Sequence, residues 1–353
     1  MTPERLRISL VLAASTGGIG RHVASVAARL LRRGHQVEIW CPAGTARAQD
    51  FANLGLPVRP LRGLGRVQTD VLHAHGYKAG AWATAVAAVR RTPVVVTWHN
   101  AVLGSGPGPN AARLLQRVVA RGADLTLGAS TDLVLTAERL GARAARLGPV
   151  AAPALPPAAT SREEQRARWQ AGAGDVVVLT VSRLAPQKNL PMVLDIAAAL
   201  RDEPRFRFVV AGGGPLHSEL AARIDTDRSA VQLVGPQHDI AALLGAADLA
   251  LLTSTWEARA LVAQEALRAG LPLVSTRVGG ISELVGDAAR LVELDDVAAA
   301  VAELRGLAAN PAARHELAAA GRRRAVTWPD EDQVVDDLLT AYAQVRLSAW
   351  HST

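Results

Sequence analysis

Two glutamates eight positions apart, Glu257 and Glu265, carry the strongest chemical signal in the sequence. An apolar segment that predicts a β-strand precedes them, and the turn Gly270-Leu271-Pro272 follows. On a helix, eight residues advance the chain by about 12 Å, close to the distance between the two sugars of a nucleoside-diphosphate sugar. Because carboxylates accept hydrogen bonds from hydroxyl groups, the pair could hold such a ligand at both ends.

The same residues also allow a purely structural interpretation. Ser254 and Glu257 match the Ser-x-x-Glu capping box, in which the glutamate only caps the start of a helix. Glu265 could be one more solvated helix residue. Spacing alone leaves both interpretations open, and the rest of the chain has to decide between them.

Length and composition limit the classes of protein that fit. With 353 residues, 49% of them hydrophobic, the chain can form two domains that each bury a core. The net charge of +7 comes almost wholly from arginine, since Lys78 and Lys188 are the only lysines. The arginines are scattered and lack the interleaved aromatic residues that stack on bases, so nucleic-acid binding is not expected. The single cysteine, Cys41, excludes an internal disulfide and favours a reducing compartment.

Localisation follows from the apolar segments. The N-terminal segment 8–15 resembles a short signal peptide but continues into a glycine loop, which favours a first β-strand. No segment approaches the roughly 20 apolar residues that span a bilayer. A cytoplasmic protein is therefore predicted. A weaker expectation is peripheral contact with the inner face of the membrane through Arg59, Arg62 and Arg66.

Apolar runs alternate with helical patterns along the chain, which predicts βαβ units and parallel sheets. The predicted domains are an N-terminal Rossmann-like domain (1–150), a Pro/Ala-rich linker (151–161), a C-terminal Rossmann-like domain (162–330) and a closing helix (331–353). In the first domain the predicted strands are Ile8–Ala13, Gln36–Trp40, Val71–Ala74, Val94–Trp98, Leu125–Gly128 and Ala144–Leu147, and the predicted helices are His22–Arg33, Ala79–Arg90, Asn110–Arg121 and Thr131–Leu140. In the second domain the predicted strands are Val176–Ser182, Phe206–Ala211, Val231–Val234, Leu249–Thr253, Leu273–Thr276 and Ala289–Val292.

Three loops that follow predicted strands could approach a phosphate. Thr16-Gly17-Gly18-Ile19-Gly20 combines small residues with a helix N-terminus, and Gly212-Gly213-Gly214 is a second close-approach loop. Arg183 and Lys188 could converge on one diphosphate and stabilise a departing nucleotide. Tight turns and solvated loop cations remain the structural alternatives.

Histidines end two predicted strands of the first domain. His73 and His75 alternate along one strand and therefore share a face, while His99 follows the strand Val94–Trp98. No carboxylate or cysteine cluster accompanies them, so no metal site is expected. His99 is the better candidate for a polar role at a reacting centre, with a satisfied edge histidine as the alternative.

Together these segments resemble the retaining glycosyltransferases of the GT-B fold, family-four pattern, over nearly the whole chain. The matching pieces are Gly17-Gly18, Trp98-His99, Arg183 with Lys188, Gly212-Gly213-Gly214, Asp248 near Ser254, Glu257 with Glu265, Gly279-Gly280-Ile281-Ser282-Glu283, and the tail from Trp328 to Tyr342. No single motif is decisive, but their order and spacing together are specific.

The resemblance implies two facing Rossmann-like, doubly wound α/β domains, with the last helix crossing back to the first domain. It implies a nucleoside-diphosphate sugar as co-substrate, no cofactor, no metal, and same-face transfer of a hexose-type sugar to an unidentified small polyol, lipid-linked or saccharide acceptor. The implied catalytic residues are His99, Arg183, Lys188 and Glu257. The implied donor-binding residues are Gly17, Gly18, Arg183, Lys188, Gly213, Glu257, Ala258, Arg259, Ala260, Leu261 and Glu265.

One departure from the family pattern and three rival functions accompany this prediction. The family usually has glycines after the first glutamate, whereas Ala258-Arg259-Ala260 stands here, and Arg259 could instead contact an anionic group. The rivals are a GT-B nucleotide-sugar epimerase, a non-catalytic nucleotide-sugar-binding protein and a nicotinamide-dependent oxidoreductase. The oxidoreductase is disfavoured because Trp40-Cys41-Pro42, with no acidic residue, follows the second strand.

Overall fold

The computed structural model describes residues 5–15, 17–104, 106–148, 150–227 and 229–350, with the side chains of residues 54, 349 and 350 left aside. The chain divides into two compact units. Unit 1 comprises residues 1–153 and 329–353, and unit 2 comprises residues 154–328. Thr16, within the predicted glycine loop, lies outside the described residues.

Unit 1 is built on a seven-stranded parallel sheet with the strand order β3-β2-β1-β4-β5-β6-β7. Its inner strands are buried on both faces, as expected for a parallel sheet covered by helices, and every residue of Val94–Trp98 is buried. The strands are β1 (Arg7–Leu12), β2 (Gln36–Trp40), β3 (Val58–Arg59), β4 (Val71–His75), β5 (Val94–Trp98), β6 (Leu125–Gly128) and β7 (Ala145–Leu147).

Helices cover both faces of this sheet. Right-handed crossovers place α1, which leads from β1 to β2, on the face opposite α3, α4 and α5, which connect strands running the other way across the sheet. The helices that precede unit 2 are α1 (Gly18–Arg32), α2 (Ala43–Ala48), α3 (Tyr77–Arg90), α4 (Pro107–Gly122) and α5 (Thr131–Arg139), with 3-10 turns at Phe51–Leu54 and Leu61–Arg66.

The last helix, α14 (Glu331–Trp350), belongs to unit 1 although it follows unit 2 in sequence. It packs its predicted apolar stripe against α1 and the sheet: Val334, Leu338 and Tyr342 are buried in the core that also contains Val26 and Leu30. An ion pair at 2.8 Å between Arg29 and Glu331 borders this contact. The prediction of an amphipathic closing helix that returns to the first domain is confirmed.

Unit 2 has a six-stranded parallel sheet with the order β10-β9-β8-β11-β12-β13. Its strands are β8 (Val176–Val181), β9 (Phe206–Ala211), β10 (Val231–Gly235), β11 (Leu249–Leu252), β12 (Leu273–Thr276) and β13 (Arg290–Val292). Its helices are α6 (Arg162–Arg168), α7 (Leu190–Ala199), α8 (His217–Asp227), α9 (Ile240–Ala246), α10 (Leu261–Ala269), α11 (Ile281–Val285), α12 (Val297–Ala309) and α13 (Pro311–Ala325), with a 3-10 turn at Pro186–Lys188.

Both sheets reverse their winding direction once, between β1 and β4 in unit 1 and between β8 and β11 in unit 2. Loops at the carboxyl ends of such neighbouring strands form the crevice where open α/β sheets bind ligands. The predicted α/β class with two doubly wound units is confirmed. Within the described ranges, no helix is both long enough and apolar enough to cross a membrane.

The predicted elements differ from the observed ones mainly at their ends. Helix α1 begins at Gly18, four residues before the predicted start at His22, because the glycines expected in a loop form the first helical turn. The two-residue strand β3 and the short helix α2 were not predicted, since neither has a periodic pattern long enough to recognise.

Candidate functional site

The loop between β11 and α10 carries Glu257. The helix begins only at Leu261, so residues 253–260 are irregular and the assumption of a continuous helix from Glu257 to Glu265 is wrong. The rise of about 12 Å expected for eight helical residues therefore does not apply to Glu257 and Glu265. The Ser254–Glu257 capping box is not formed either, because no helix starts there; the true capping box of unit 2 joins Ser161 and Glu164 at α6.

The Glu257 carboxylate is held by two neighbours. Its Oε1 accepts a hydrogen bond from Ser254 Oγ at 2.7 Å and forms an ion pair with Lys188 Nζ. The side chains of Lys188 and Glu257 are 21% and 11% exposed, so the pair is shielded but still accessible. Among the described residues no donor reaches Glu257 Oε2, and Lys188 retains two further N–H donors. The pair can therefore offer an acceptor and two donors to a polar ligand.

Two loops of the switch point are joined by hydrogen bonds. Thr253 Oγ1 donates to the carbonyl oxygens of Lys188 and Asn189, each at 3.0 Å. The Thr255 amide donates to Gln187 O at 2.8 Å, and Gln187 Nε2 donates to Trp256 O at 2.7 Å. Because these bonds fix both backbones, Lys188 and Glu257 are presented in register at the carboxyl edge of β8 and β11.

Two glycines allow the loops of this site to pack closely against each other. The Gly280 amide donates to Glu257 O at 2.8 Å, and a Cβ on Gly279, whose φ is +50°, would lie 2.1 Å from that oxygen. On the other side, a Cβ on Gly212 would lie 1.8 Å from Ser182 O. Gly212 and Gly279 are thus required for close packing between loops, which is a structural reason for these glycine motifs. Gly213 is also in contact range, since its Cβ would lie 3.1 Å from Pro236 Cγ.

The departure Ala258-Arg259-Ala260 causes no backbone strain. None of the three has a positive φ, and Ala260 has a φ of −56°. Ala258 and Ala260 are buried, and so is Leu261, the first residue of α10. Burial lowers the pKa of the Arg259 guanidinium; the Glu283 carboxylate opposes this shift, while the Arg324 and Arg268 guanidinium groups add to it.

Glu265 lies on α10 and is only 3% exposed, so the interpretation of a solvated helix residue is wrong. A carboxylate buried to this degree requires polar partners, because burying an unpaired charge is costly. Glu265 does have a hydrogen-bonding or electrostatic partner within the protein.

Arg183 and Asp248, two further residues of the family pattern, lie at opposite edges of the sheet of unit 2. Arg183 follows β8, is exposed, and forms no ion pair with any residue in the described ranges. Asp248 precedes β11 and bonds Val177 N at 2.8 Å, Arg166 at 2.8 Å and Arg162 at 2.6 Å. Burial raises the pKa of Asp248, but these hydrogen bonds outweigh burial and hold it below its ordinary value. Asp248 is therefore a structural residue at the opposite edge from Ser254.

In unit 1 the corresponding switch point holds Gly17 and a group of histidines. Gly17 is the N-cap of α1 and Gly18 its first residue, and a Cβ on Gly17 would meet no atom within 4 Å. The helix therefore presents an open N-terminus at the carboxyl edge of β1, which fits the predicted contact with an anion.

The histidine cluster is His22, His73, His75 and His99. Within it His75 Nδ1 bonds His99 Nε2 at 3.0 Å, and the ring centroids of His73 and His75 are 4.2 Å apart. His22, on the first turns of α1, lies edge-on to the His75 and His99 rings at 5.7 and 5.6 Å. Because His99 Nε2 already bonds His75 Nδ1, a polar contact between His99 and a ligand would have to be made by His99 Nδ1.

His73 connects this cluster to the closing helix. Its Nδ1 bonds Tyr342 Oη at 2.7 Å, and its Nε2 bonds Thr97 Oγ1 at 2.7 Å. Both nitrogens are thus satisfied within the protein, whereas His75 Nε2 is buried with no hydrogen-bond partner among the described residues. His73 is accordingly a core residue, and the structure gives it no ligand-facing nitrogen.

Burial keeps all four rings neutral. It lowers the pKa of His22 to about 4 and that of His73 to about 3, the latter helped by His22. Burial and the neighbouring histidines also place the pKa values of His75 and His99 well below the ordinary range. Over the described residues, no group of three or more histidine, cysteine or acidic side chains has the geometry to hold a metal ion.

A cavity of about 100 Å³ adjoins the cluster. Its lining residues all belong to unit 1 and include His22 from α1, Thr97 from β5, Arg146 from β7 and Leu338 from α14. Sequence reasoning missed the parts played by His22 and Tyr342. The available signal was a polar residue at each position within an otherwise apolar helix stripe.

The sequence matches two families of glycosyltransferases. The family described as "Glycosyl transferases group 1" matches residues 161–324, and the one described as "Glycosyl transferase 4-like domain" matches residues 17–153. A glycogen synthase of Mycobacterium tuberculosis is 30% identical over 389 residues, which cover 94% of this chain and 91% of that protein. A D-inositol 3-phosphate glycosyltransferase of Geodermatophilus obscurus is 28% identical, covering 94% of this chain and 85% of that protein.

Solved structures share the fold over nearly the full length. The Anabaena protein HepE in complex with UDP-glucose has a TM-score of 0.84 at 18% identity, covering 96% of this chain and all of that chain. A sucrose-phosphate synthase from Thermosynechococcus elongatus has a TM-score of 0.76 at 16% identity, covering 97% of this chain and all of that chain. At such identities the likeness concerns the fold.

Proposed function

This chain belongs to the glycosyl transferases of group 1, and on that basis we propose that it transfers a hexose-type sugar from a nucleoside-diphosphate sugar to an acceptor. We further propose that the transfer retains the configuration at the anomeric carbon and uses no metal ion. The observation that carries the proposal is the Glu257 carboxylate held by Lys188 and Ser254 at the switch point of unit 2.

The chemistry of the pair suits an activated sugar. Glu257 Oε2 can accept a hydrogen bond from a sugar hydroxyl, while the two remaining N–H donors of Lys188 can contact a diphosphate. Arg183, exposed on the loop after β8, supplies a second cation. Two cations at this edge would stabilise negative charge as it builds on the leaving diphosphate, which is the task a metal ion performs elsewhere.

In the proposed step, the bond between the anomeric carbon and the diphosphate oxygen breaks, and the acceptor oxygen bonds to that carbon on the same face. The acceptor proton moves to the departing phosphate oxygen, so no protein base is required. The product is the glycosylated acceptor and the nucleoside diphosphate. The roles that the resemblance implies for His99, Gly17 and Gly18 in unit 1 remain predictions.

Relatives and neighbours of known kind support a nucleotide-sugar donor. Glycogen synthase and D-inositol 3-phosphate glycosyltransferase are the names of curated relatives, and HepE was solved with UDP-glucose.

The direct test is incubation with UDP-, GDP- and ADP-sugars while free nucleotide is measured, with and without simple saccharide and polyol acceptors. We expect release of one nucleoside diphosphate that grows with acceptor and persists in a chelator. A sugar that changes configuration without an acceptor would instead identify an epimerase. A donor that raises the melting temperature but never releases nucleotide would identify a binding protein.

The buried Glu265 gives a second test of the donor site. We propose that it accepts the ribose hydroxyls, so Glu265→Ala should weaken donor binding at least about tenfold, the loss of one hydrogen bond to a charged group. Isothermal titration with the donor measures this effect, and circular dichroism verifies the fold. Unchanged affinity in a folded variant would remove the ribose role.

A further inference from the structure

One layer of unit 1 has no part in the proposed sugar transfer, and it is strongly basic. Between Asp70 and Asp124 the sequence contains no acidic residue, yet it contains six cations: Lys78, Arg90, Arg91, Arg113, Arg117 and Arg121. The 3-10 turn just before this segment adds Arg62 and Arg66. Such a charge imbalance over a continuous part of the chain is a physical property of its surface.

The fold gathers these residues on one side of the sheet. The 3-10 turn Leu61–Arg66 packs beside α3, and α3 packs beside α4, so the three form one layer. Arg90 Nε donates to Gly65 O at 2.8 Å, which fastens the end of α3 to that turn. We call the outer surface of the three elements the basic face.

The cations of the basic face are not neutralised within the protein. All eight are exposed, and in the described ranges their recorded hydrogen bonds go to neutral oxygens rather than carboxylates. Arg113 bonds the Asn110 side chain at 3.1 Å, and Arg121 bonds Leu140 O at 3.3 Å. An unneutralised layer of this kind attracts anions.

Apolar side chains protrude between these cations. On α3, Trp82 and Val89 are 52% and 85% exposed, and on α4, Leu114 and Val118 are 64% and 54% exposed. On α4 they alternate with arginines at helical spacing, Arg113-Leu114 and Arg117-Val118, so cations and apolar groups share one outward stripe. Exposed apolar groups clustered in this way mark interaction surfaces.

We propose that the basic face docks unit 1 on an anionic lipid bilayer. Arginine and lysine attract acidic headgroups, while tryptophan and aliphatic side chains enter the boundary with the acyl chains. A tryptophan is suited to this depth because its ring is apolar and its N–H is polar. A second copy of the chain fits less well, since it would bring an equally basic face against this one.

Vesicle sedimentation tests the proposal on the full chain without any variant. Vesicles of phosphatidylcholine containing about one third phosphatidylglycerol should pellet the protein, and pure phosphatidylcholine vesicles should not. Raising the ionic strength from about 0.1 to about 1 M shortens the Debye length from about 10 to about 3 Å and should release it. Equal pelleting by the two kinds of vesicle would overturn the proposal, and so would a bound fraction that ignores salt.

A charge variant localises the contact. Each cation near an anionic surface contributes roughly fivefold to binding, so Arg90→Gln/Arg117→Gln/Arg121→Gln should weaken partition about 100-fold. The replaced side chains are exposed, and within the described ranges the variant loses only the hydrogen bonds of Arg90 to Gly65 O and of Arg121 to Leu140 O. Its melting temperature should therefore fall by no more than about 5 °C, and its circular dichroism spectrum should match that of the wild type.

The matched control removes three exposed cations from unit 2, as Arg168→Gln/Arg201→Gln/Arg323→Gln. It has the same net charge as the first variant and should keep most of the affinity. An equal loss in both variants would mean that net charge alone drives binding, which contradicts a defined docking face.

An apolar variant completes the test. Trp82→Ala/Val118→Ser should weaken binding to anionic vesicles about tenfold, because the buried apolar area is lost. The tryptophan fluorescence of the wild type should shift to shorter wavelength on binding. Unchanged binding of this variant would exclude insertion of the face into the bilayer.

Discussion

The two units reverse their sheets in the same way but place opposite kinds of side chain at the reversal. In unit 1 four buried histidines lie near the reversal between β1 and β4, on α1, on β4 and after β5, and burial lowers the pKa of each of them. In unit 2 the edge of β8 and β11 holds an ion pair between Lys188 and Glu257 whose side chains are 21% and 11% exposed. One edge is polar and uncharged, and the other is charged and within reach of water.

This difference shows that the sheet reversal determines where a site lies, whereas the residues of the loops determine its chemistry. Charges persist in unit 2 because each has a partner and some solvent, which lowers the cost of desolvation. Among the described residues no carboxylate forms a hydrogen bond or ion pair with the four histidines of the cluster, so they stay neutral and act as hydrogen-bonding groups of a packed core. The charged edge offers cationic side chains to a charged leaving group, whereas the neutral edge offers only the N-terminus of α1 among the groups described above.

The largest effect is expected when the Glu257 carboxylate at the charged edge is replaced. Glu257→Gln keeps the shape but removes the charge that accepts a sugar hydroxyl, so kcat/KM should fall about 100-fold, the value of a strong charge-assisted hydrogen bond. Nucleotide release under saturating and limiting donor measures this change. Glu219→Gln, an exposed glutamate on α8, is the control and should act as wild type. A comparable rate for the Glu257 variant would show that the carboxylate has no part in catalysis.

Acid should destabilise unit 1 at its neutral edge, because the four buried histidines there must take up protons. For each of the four histidines of the cluster, the folded pKa lies below the unfolded value of about 6.5. Its contribution to the free energy of unfolding is therefore complete above that pH and is lost as the pH falls toward the folded pKa. With the pKa of His22 at about 4, that residue alone should cost about 2 kcal/mol of unfolding free energy at about pH 5.

Urea unfolding at several pH values measures this loss, and hydrogen exchange assigns it to a unit. The histidines of unit 2 are exposed, so amides of unit 1 should lose protection first on acidification. Loss that begins in unit 2 would contradict the contrast between the two edges. A His22→Asn variant should flatten part of the pH dependence.

Lys188→Gln should give an effect of intermediate size. It leaves the Glu257 carboxylate with only the Ser254 hydroxyl as partner, so the free energy of unfolding should fall by about 1–2 kcal/mol and donor affinity by about tenfold. Calorimetry and donor titration measure the two quantities. Lys78→Gln on α3 provides the matched lysine control, with no loss of donor affinity expected. If the Lys188 variant binds donor normally, the lysine does not contact the diphosphate.

Tyr342→Phe should give the smallest effect. It removes the hydroxyl that bonds His73 Nδ1 at 2.7 Å, leaving a buried ring nitrogen without its partner. The expected cost is about 1 kcal/mol of unfolding free energy with little change in catalysis. Urea unfolding checks the first expectation and nucleotide release the second. A large loss of activity would mean that the neutral edge takes part in the reaction.

Much of the fold could be predicted from the sequence, because long periodic segments and short loops fix a parallel α/β architecture. The strand Gln36–Trp40 and the apolar stripe of α14 were predicted as observed. Ends of elements were less predictable where glycine was involved: Gly18 and Gly20 begin α1 rather than precede it. A loop and a first helical turn have the same composition there, and only tertiary packing distinguishes them.

The candidate site was predictable in position but not in geometry. Glu257 was placed correctly at a sheet edge, yet the helix expected around it is absent, because the Gln187 side chain and the Gly280 amide hold this loop in an irregular path. Likewise the partners of His73 are far apart in sequence, and Tyr342 lies 269 positions away. Local patterns contain no information about contacts of this range.

The return of α14 to unit 1 has a consequence for biosynthesis. A nascent chain that ends at residue 328 has completed unit 2 but lacks the helix whose Val334, Leu338 and Tyr342 fill the core of unit 1. Until α14 has left the ribosome, unit 1 keeps an open apolar groove, and His73 Nδ1 lacks the Tyr342 hydroxyl as its partner. Premature termination within this helix would damage unit 1, most of which is translated before unit 2.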